Sequence, residues 1–414
     1  MANNRILASL TLILAFLLVT AVTQSAQAQT FSVLYTFAGG ADGAFPEAAL
    51  IRDAAGNLYG TTVENGQTFC SSYCGNVFKI DPSGKETTLH TFKGGSDGSF
   101  PYVAGVVRDA HGNLYGTTEF GGKGLGSFGV VYKLSKTDRE TILHSFAENA
   151  RDGEAPQSGV ILDSAGNIYG TTLQGDGVGC RGFGCGTVFR IDKTGKETTI
   201  PFNETLWGPA TLTRDAVGNL YGTTYLSGGT GCGGPGCGTV FKIDKTGKRT
   251  LLHAFQGAPD GLIPNGNVVL DRAGNLYGTT WKGGNTTACP PSGCGIVYKI
   301  DKKGKETVLH RFSINDGLAP QGGLVLDSKG NLYGTTFGGG AACAPSGCGT
   351  VYKIDKTGKE TVLYSFTGSA DGRFPYAGLV RDKAGNLYGT ASNGGNTGAL
   401  CVPNGCGVVF KLTL

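Results

Sequence analysis

One short phrase recurs seven times along this chain of 414 residues and constrains its fold more than any other feature. The phrase is Gly-Asn-Leu-Tyr-Gly-Thr-Thr at residues 56–62, and near-copies begin at Gly112, Gly166, Gly218, Gly274, Gly330 and Gly385. Successive copies start 52 to 56 residues apart. A nearly fixed period of this size indicates one supersecondary unit repeated in tandem, so the fold follows from the structure of a single repeat.

Each repeat consists of short apolar segments separated by tight turns. In the repeat over residues 295–336, the segments 295–301, 306–312, 322–326 and 331–336 have the alternation and composition of β-strands. Two of the turns carry Asp first and Gly fourth, which is typical of a type I turn followed by a left-handed residue. If Asp81 lies opposite Gly84 in one such hairpin, Lys79 lies opposite Glu86. The pattern has no helical period and predicts an all-β repeat.

Seven four-stranded antiparallel units predict a β-propeller, because radial repetition hides the sheet edges. The segment 31–37 matches the outermost strand at 360–366, and the last repeat ends one strand short, at 408–412. We therefore expect the N-terminal strand to complete the last blade and close the ring, whereas an open solenoid would need caps. The predicted domain is a seven-bladed propeller over residues 29–414, with four antiparallel strands per blade.

The first 28 residues have the composition of a secretory signal peptide. Arg5 precedes an apolar run over 7–22, and Ala26-Gln27-Ala28 is a small-x-small cleavage site. No later stretch has the roughly 20 apolar residues of a membrane span. The formal net charge is +4, with Lys and Arg spread through the repeats, which argues against a nucleic-acid-binding face. We expect a soluble monomer, secreted or periplasmic, after cleavage near Ala28.

The 12 cysteines fall into six local pairs. In an exported chain, matched local pairs predict disulfides, whereas zinc would need four ligands and no His accompanies these pairs. Each pair lies in the long loop between the second and third strands of a blade. The predicted disulfides join Cys70 with Cys74, Cys180 with Cys185, Cys232 with Cys237, Cys289 with Cys294, Cys343 with Cys348, and Cys401 with Cys406.

The repeat resembles a known family. The segment Gly-Leu-Val-Arg-Asp at 378–382, followed by Gly-Asn-Leu-Tyr-Gly-Thr at 385–390 and Cys-Gly-Val-Val-Phe-Lys at 406–411, is similar to the GloVer tandem repeats of exported bacterial proteins. The resemblance covers essentially the whole chain after the first 28 residues. It implies an extracytoplasmic repeat protein and brings no settled activity or catalytic residue. A looser similarity links the Asp turn and Asn-Leu-Tyr to NHL-type and lactonase-type propellers.

Two sets of variable positions are candidate ligand-binding residues on the face that carries the Cys loops and an Asp-Gly-x-x-Pro motif. The residue after this Pro is expected to ring the channel mouth, where it forms either a polar small-molecule site or a solvated rim. Its members are Glu47, Tyr102, Gln157, Asn265, Gln321 and Tyr376, with Ala210 in the fourth copy. The residue after Gly-Thr-Thr is aromatic on three adjacent blades, at Tyr225, Trp281 and Phe337, which could form an arc for carbohydrate or instead anchor their own loops.

We expect no metal site and no cofactor. Each Asp of the Asp-Gly-x-x-Pro motif is a single carboxylate beside Gly, without the several ligands that calcium takes from one loop. His90, His144, His253 and His310 share one outer-strand position with Tyr35 and Tyr364, which indicates a scaffold role. No nucleophile elbow, metalloprotease motif or phosphate loop is present in the sequence.

Three functions remain open. The leading hypothesis is a non-catalytic exported propeller that binds carbohydrate or a cell-envelope protein. The second is a propeller enzyme, a lyase, lactonase or glycan-acting hydrolase, whose site at the channel mouth would use Glu47 and Tyr102. The third is a purely structural envelope protein.

Overall fold

The structure of this chain, a computed structural model, describes residues 29–64, 74–123, 128–147, 152–175, 185–201, 207–209, 211–228, 231–232, 236–395 and 401–414. The predicted signal peptide over 1–28 lies outside these residues. Within the described ranges, no helix has the length and apolar character needed to cross a bilayer.

Among the described residues, the strands form seven separate antiparallel sheets, which are the blades of a β-propeller. From the innermost strand outwards, blade 1 contains Ile51–Arg52, Leu58–Thr62, Asn76–Ile80 and Glu86–Thr91; blade 2 contains Val107–Arg108, Leu114–Thr118, Val130–Leu134 and Glu140–Ser145; blade 3 contains Ile161–Leu162, Ile168–Thr172, Thr187–Ile191 and Glu197–Pro201. Blade 4 contains Thr213–Arg214, Leu220–Leu226, Thr239–Ile243 and Arg249–Ala254, with an added strand, Trp207–Pro209, paired to the second. Blade 5 contains Val269–Leu270, Leu276–Thr280, Ile296–Ile300 and Glu306–Arg311; blade 6 contains Val325–Leu326, Leu332–Thr336, Thr350–Ile354 and Glu360–Ser365; blade 7 contains Val380–Arg381, Leu387–Ala391, Val408–Thr413 and Thr30–Thr36. A single 3-10 turn, Gly95–Asp97, lies between blades 1 and 2 in the described chain.

The N-terminal strand completes blade 7, as predicted. Thr30–Thr36 pairs antiparallel with Val408–Thr413, with Thr30 opposite Thr413 and Thr36 opposite Val408. The all-β, seven-bladed prediction with four antiparallel strands per blade is therefore confirmed, and the ring is closed by the two ends of the chain.

The repeated phrase is explained by contacts within and between blades. Its Gly lies opposite an aromatic residue of the third strand, as Gly60 lies opposite Phe78, and a Cβ on Gly60 would lie 2.6 Å from Phe78 Cζ. The following Thr donates to the next blade, as Thr117 does to the Ser158 carbonyl at 2.8 Å. Leu, Gly and Thr of the phrase thus provide core packing, space for the ring and a contact between blades.

The Asp turns are held by the rest of the same phrase. In blade 1, Asn57 Nδ2 and the Tyr59 hydroxyl both donate to Asp53 Oδ2, at 2.8 and 3.0 Å. The same three residue types make the same contacts in the other blades, for example at Asp382. These aspartates are turn residues, in agreement with the sequence pattern.

The predicted pairing of Lys79 with Glu86 is wrong by one residue. Lys79 lies opposite Thr87, and Ile80 lies opposite Glu86. The reason is that the turn closes on Lys85 rather than Gly84, because Asp81 N donates to the Lys85 carbonyl and Asp81 Oδ1 accepts from Lys85 N, both at 3.0 Å. The side chain of the turn-forming Asp lengthens the hairpin by one residue.

Candidate functional site

Disulfides close the long loops on one face of the propeller. Cys232 is bonded to Cys237, Cys289 to Cys294, Cys343 to Cys348, and Cys401 to Cys406, with Cα atoms 5.2 to 5.4 Å apart. Cys74 and Cys185 are also disulfide-bonded, whereas the partners predicted for them, Cys70 and Cys180, lie outside the described residues. Disulfides of this kind suggest an oxidising, extracellular environment.

The second cysteine of each pair lies in the core, although the sequence pattern placed both members in the loop. Cys237, Cys294 and Cys406 have no exposed surface and belong to the apolar clusters between blades. The reason is that each precedes the buried third strand of its blade by only two residues, so the chain has already entered the core. The disulfide therefore fastens the loop to the core. Buried in the same way are Cys74, Cys185 and Cys348.

Four of the Cys loops are tied to the next blade by a residue with positive φ just before the Pro of the Asp-Gly-x-x-Pro motif. Phe374 has φ 58°; its N–H donates to the Cys348 carbonyl at 2.8 Å, and its own carbonyl accepts from Ser392 N. A bulky residue with positive φ is costly and persists only where its surroundings hold it. Five other copies have the same backbone conformation, at Phe45, Phe100, Ala155, Ile263 and Ala319. These backbone hydrogen bonds, together with the positive φ, fix the direction of the residue that follows the Pro.

The innermost segments of all seven blades surround a central cavity of about 270 Å³. The innermost segments of neighbouring blades approach closely: a Cβ on Gly378 would lie 2.7 Å from the Gly323 carbonyl oxygen, and one on Gly105 would lie 2.7 Å from that of Ala49. The lining therefore has no room for a side chain at these glycines.

Five of the six predicted post-proline residues line the cavity: Glu47, Gln157, Asn265, Gln321 and Tyr376. Asn265 Nδ2 donates to Gln321 Oε1 at 3.2 Å, which joins blades 5 and 6 at the mouth. The fourth copy, Ala210, lies outside the described residues.

Tyr102, the sixth predicted post-proline residue, is not among the residues that line the cavity. The second copy has one extra residue between Pro101 and Asp109, so Val103 lines the cavity in its stead. The Tyr102 hydroxyl instead lies 3.3 Å from that of Tyr376. These tyrosines belong to blades 2 and 7, on either side of the blade that carries Glu47.

Glu47 is surrounded by groups that favour its protonated form. Burial, with a smaller contribution from the Glu64 carboxylate, raises the pKa of Glu47 to about 7. Burial and the nearby Glu47 also raise the pKa of Tyr376, so its hydroxyl stays protonated as a hydrogen-bond donor. No Lys, Arg or His is present in the described lining of the cavity. A carboxyl group with a pKa near neutrality can donate or accept a proton at physiological pH.

A second acid, Glu119, was missed in the sequence. It follows Gly-Thr-Thr in blade 2, its side chain is buried, and Gln157 hydrogen-bonds to it. Its Oε2 atom is buried with no hydrogen-bond partner, and burial raises the pKa of Glu119. Burial raises the pKa of Tyr225, which lines the cavity, and the Glu119 carboxylate adds to this effect. The sequence could have indicated it, because Glu119 is the one acidic residue at the position after Gly-Thr-Thr, which is otherwise apolar, aromatic or Ser.

Six aromatic side chains form a continuous row across blades 2, 7 and 6, here called the aromatic row. Consecutive ring centroids lie 4.6 to 6.1 Å apart, and the outer ring, Phe120, is 45% exposed. The row consists of Phe120, Phe100, Tyr102, Tyr376, Phe337 and Phe374.

The three aromatic residues predicted to form an arc have different neighbours in the structure. Phe337 belongs to the aromatic row and stacks on Phe374 at 4.6 Å. Tyr225 lines the cavity, and the Trp281 ring lies 4.7 Å from Lys282 Nζ. No ring contact joins Tyr225, Trp281 and Phe337 to one another in the described chain. Tyr225 thus lies in the wall of the cavity, and Phe337 lies in the aromatic row.

Comparison with solved structures supports the fold. The virginiamycin B lyase from Staphylococcus aureus is similar over 93% of this chain and 99% of its own, with a TM-score of 0.59 and 14% identity. The extracellular domain of a putative one-component system, BT4673, from B. thetaiotaomicron is similar over 92% of this chain and 39% of its own, with a TM-score of 0.54 and 13% identity. At these identities the likeness extends to the fold alone. No curated protein sequence matches the chain.

The repeat itself identifies the family. The Gloeobacter/Verrucomicrobia repeat matches residues 19–183, 127–342 and 209–414, which together include the described blades. This result confirms the resemblance that the Asp turn, the Gly-Asn-Leu-Tyr-Gly-Thr phrase and the Cys-Gly strand indicated. The chain belongs to the Gloeobacter/Verrucomicrobia repeat family.

Proposed function

We propose that this chain is an exported, non-catalytic binding propeller that takes carbohydrate at the mouth of its central cavity. The observation that carries the proposal is the aromatic row, which leads directly to a mouth lined by Glu47, Gln157, Asn265 and Gln321. Aromatic faces pack against the C–H surfaces of a sugar, and carboxylate and amide groups pair with its hydroxyls. The aromatic row and the polar residues of the cavity mouth meet at Tyr376.

The dimensions favour an extended ligand of which one end enters the cavity. A volume of about 270 Å³ lies just below the usual range for pockets that enclose a whole drug-sized molecule. One sugar ring would occupy the mouth, and following rings would lie on Tyr102, Phe100 and the exposed Phe120. We therefore expect oligosaccharides to bind more tightly than the corresponding monosaccharide.

The proposal is tested by calorimetric titration of the chain with oligosaccharides of increasing length. Phe120→Ala removes an exposed ring and should weaken binding about tenfold without loss of stability. Leu251→Ala is the matched control, because Leu251 is 53% exposed on the outermost strand of blade 4, away from the mouth. Equal effects of the two substitutions, or no titratable oligosaccharide at all, would contradict the proposal and favour an envelope-protein partner or a purely structural role.

A second candidate, a propeller enzyme, is favoured by one observation. Glu47 has a pKa raised to about 7, which suits a general acid or base at neutral pH. The lyase among the similar structures adds nothing to this argument, since it shares only the fold. A glycan, lactone or lyase substrate whose turnover disappears in Glu47→Gln, while its binding stays within about threefold, would establish the enzyme and displace the binding proposal.

A further inference from the structure

The outer part of several blade interfaces carries a His, an Asp and a Glu that sequence patterns treated as unrelated. The His comes from the outermost strand of one blade, the Asp from the crossing to the next blade, and the Glu from the first position of that blade's outermost strand. Two such clusters bring one ligand atom from each of the three residues within 4.8 Å of one another. They are the cluster of His90, Asp97 and Glu140 and the cluster of His144, Asp152 and Glu197.

In the first cluster the contacts are longer than ordinary hydrogen bonds. His90 Nε2 lies 3.4 Å from Asp97 Oδ1 and 3.5 Å from Glu140 Oε1. His90 Nε2 and Glu140 Oε1 are both buried without a hydrogen-bond partner. Two ligands bound tetrahedrally to zinc at about 2.0–2.1 Å lie about 3.3 Å apart. The separations therefore match the spacing of metal ligands better than that of hydrogen-bonded atoms.

The second cluster has the same arrangement with one shorter contact. His144 Nε2 lies 2.9 Å from Asp152 Oδ1 and 3.5 Å from Glu197 Oε2. In both clusters the other Asp oxygen accepts a backbone N–H, from Lys93 at 2.7 Å or Ala147 at 2.8 Å. Such a hydrogen bond to the non-ligating oxygen is the usual means of orienting a metal-binding carboxylate.

Two carboxylates so close together require a compensating positive charge. One carboxylate oxygen of Asp97 lies within 4.8 Å of one of Glu140, and one of Asp152 lies within 4.8 Å of one of Glu197. The pair must therefore hold either a shared proton or a bound cation.

The same three residue types recur at two more blade interfaces, as His253, Asp260 and Glu306 and as His310, Asp316 and Glu360. Among the described residues, only the two clusters above bring their ligand atoms within 4.8 Å of one another. Between blades 3 and 4 all three are lost together: strand Glu197–Pro201 has no His, the crossing lacks Asp-Gly, and Arg249 replaces the Glu. Between blades 6 and 7, Tyr364 replaces the His and Phe31 replaces the Glu, and their rings stack at 3.9 Å. Asp371 is retained there, however, and Asp42 and Glu86 are retained beside Tyr35 between blades 7 and 1, so all three residues change together only between blades 3 and 4.

We propose that the His90/Asp97/Glu140 and His144/Asp152/Glu197 clusters each bind a divalent transition-metal ion of the zinc type. One imidazole nitrogen with two carboxylate oxygens suits zinc and its neighbours, whereas calcium and magnesium prefer oxygen ligands alone. The three ligands come from two blades, so the ion would join neighbouring blades at their outer edge. The side chains of His90, Asp97 and Glu140 remain 15, 20 and 14% exposed, which leaves access for the ion and a position for water.

The test measures zinc bound per chain after removal of metal with EDTA, in protein without a polyhistidine tag. We expect two zinc ions on the wild type, one on His90→Tyr, one on His144→Tyr and none on the double variant. Tyr is chosen because the chain already uses it at this position, where the Tyr35 hydroxyl donates to Asp42 at 3.0 Å beside Glu86. These variants should therefore fold, which their thermal transitions in EDTA will establish.

His111→Tyr is the matched control, since His111 lies on an exposed turn of blade 2 and should leave both ions in place. Cobalt(II) substitution adds a second readout, because its visible absorption reports nitrogen and oxygen coordination that the double variant should lose. Absence of zinc from the wild type would overturn the proposal and leave the shared proton as the compensating charge. Equal zinc on the wild type and the double variant would also overturn it.

Discussion

Glu47 lies among groups that oppose its ionisation. It is largely removed from water near the half-buried carboxylate of Glu64, and the described cavity lining offers it no basic partner. A carboxyl group in this setting is most stable with its proton, in which state it can donate a hydrogen bond to a sugar hydroxyl. Its burial therefore affects both ligand binding and the pH dependence of folding.

We predict that Glu47 makes stability fall as pH rises. Its folded-state pKa of about 7 lies above the ordinary 4.5, so the folded protein keeps this proton over a pH range in which the unfolded chain loses it. The contribution is fully present below about pH 4.5 and is lost as pH approaches 7, at about 1.4 kcal/mol per pH unit and up to about 3 kcal/mol in all.

Urea unfolding of wild type and Glu47→Gln at pH 5 and pH 8 checks this prediction. Other titrating groups are common to both proteins and cancel in the difference between their free energies of unfolding. The variant should gain stability relative to the wild type as pH rises. Parallel pH profiles would mean that Glu47 is solvated and ionised at neutral pH.

At the scale of the strand, the third strand of each blade packs an aromatic ring over the Gly of the repeated phrase. Four blades use Phe, and three use Tyr, at Tyr132, Tyr298 and Tyr352. Each of these tyrosine hydroxyls is buried without a hydrogen-bond partner. By contrast, the Tyr of the phrase itself donates to its Asp turn, as Tyr277 does to Asp271 at 3.0 Å. Blade 5 therefore contains one tyrosine whose hydroxyl makes a hydrogen bond, Tyr277, and one whose buried hydroxyl makes none, Tyr298.

Blade 5 allows a matched comparison of the two kinds of tyrosine. Tyr298→Phe removes an unpartnered buried hydroxyl and should leave stability unchanged or raise it by up to about 1 kcal/mol, whereas Tyr277→Phe removes a made hydrogen bond and should lower it by about 1 kcal/mol. Urea denaturation of the two variants at pH 7 measures the difference. A larger loss from Tyr298→Phe than from Tyr277→Phe would show that a buried partner, such as water, satisfies the Tyr298 hydroxyl.

The blades were predictable because their information is local and repeated. Asp53, Asn57 and Tyr59 lie within seven residues of one another, so one turn pattern indicates the hairpin in every copy. The register of Lys79 was not predictable to the residue, because the Asp81 side chain decides whether the turn closes on Gly84 or Lys85.

The candidate site was predictable only in part, because it is assembled across blades. The position after Pro indicated five residues that line the cavity, whereas a single extra residue puts Val103 in the lining and the Tyr102 hydroxyl against that of Tyr376. His90 and Glu140 are 50 positions apart, and no local pattern indicates that a crossing loop brings Asp97 between them. Contacts of this kind depend on the angle between neighbouring blades, which the sequence of one repeat does not contain.

At the scale of the whole molecule, the ring depends on one pairing between the two ends of the chain. The strand Thr30–Thr36 is the outermost strand of blade 7, and the fully buried Phe37 beyond it donates its N–H to the Gly407 carbonyl at 3.0 Å. Phe31 also stacks on Tyr364 of blade 6. This segment therefore links blades 6 and 7, and the following crossing leads into blade 1.

Deleting residues 29–37 should open the ring rather than merely remove one edge strand. Blade 7 would lose its outermost strand and expose the apolar side chains that pack on Phe31 and Phe37, including Phe366 and Phe78. We expect the thermal transition to broaden and fall by more than 10 °C, and hydrogen exchange to accelerate first in blades 7 and 1. A permuted chain that carries the same segment after Leu414 through a short flexible linker restores the pairing and should recover most of the lost stability. If the deletion destabilises every blade equally and the permuted chain recovers nothing, the ring would owe its cooperativity to contacts other than this closure.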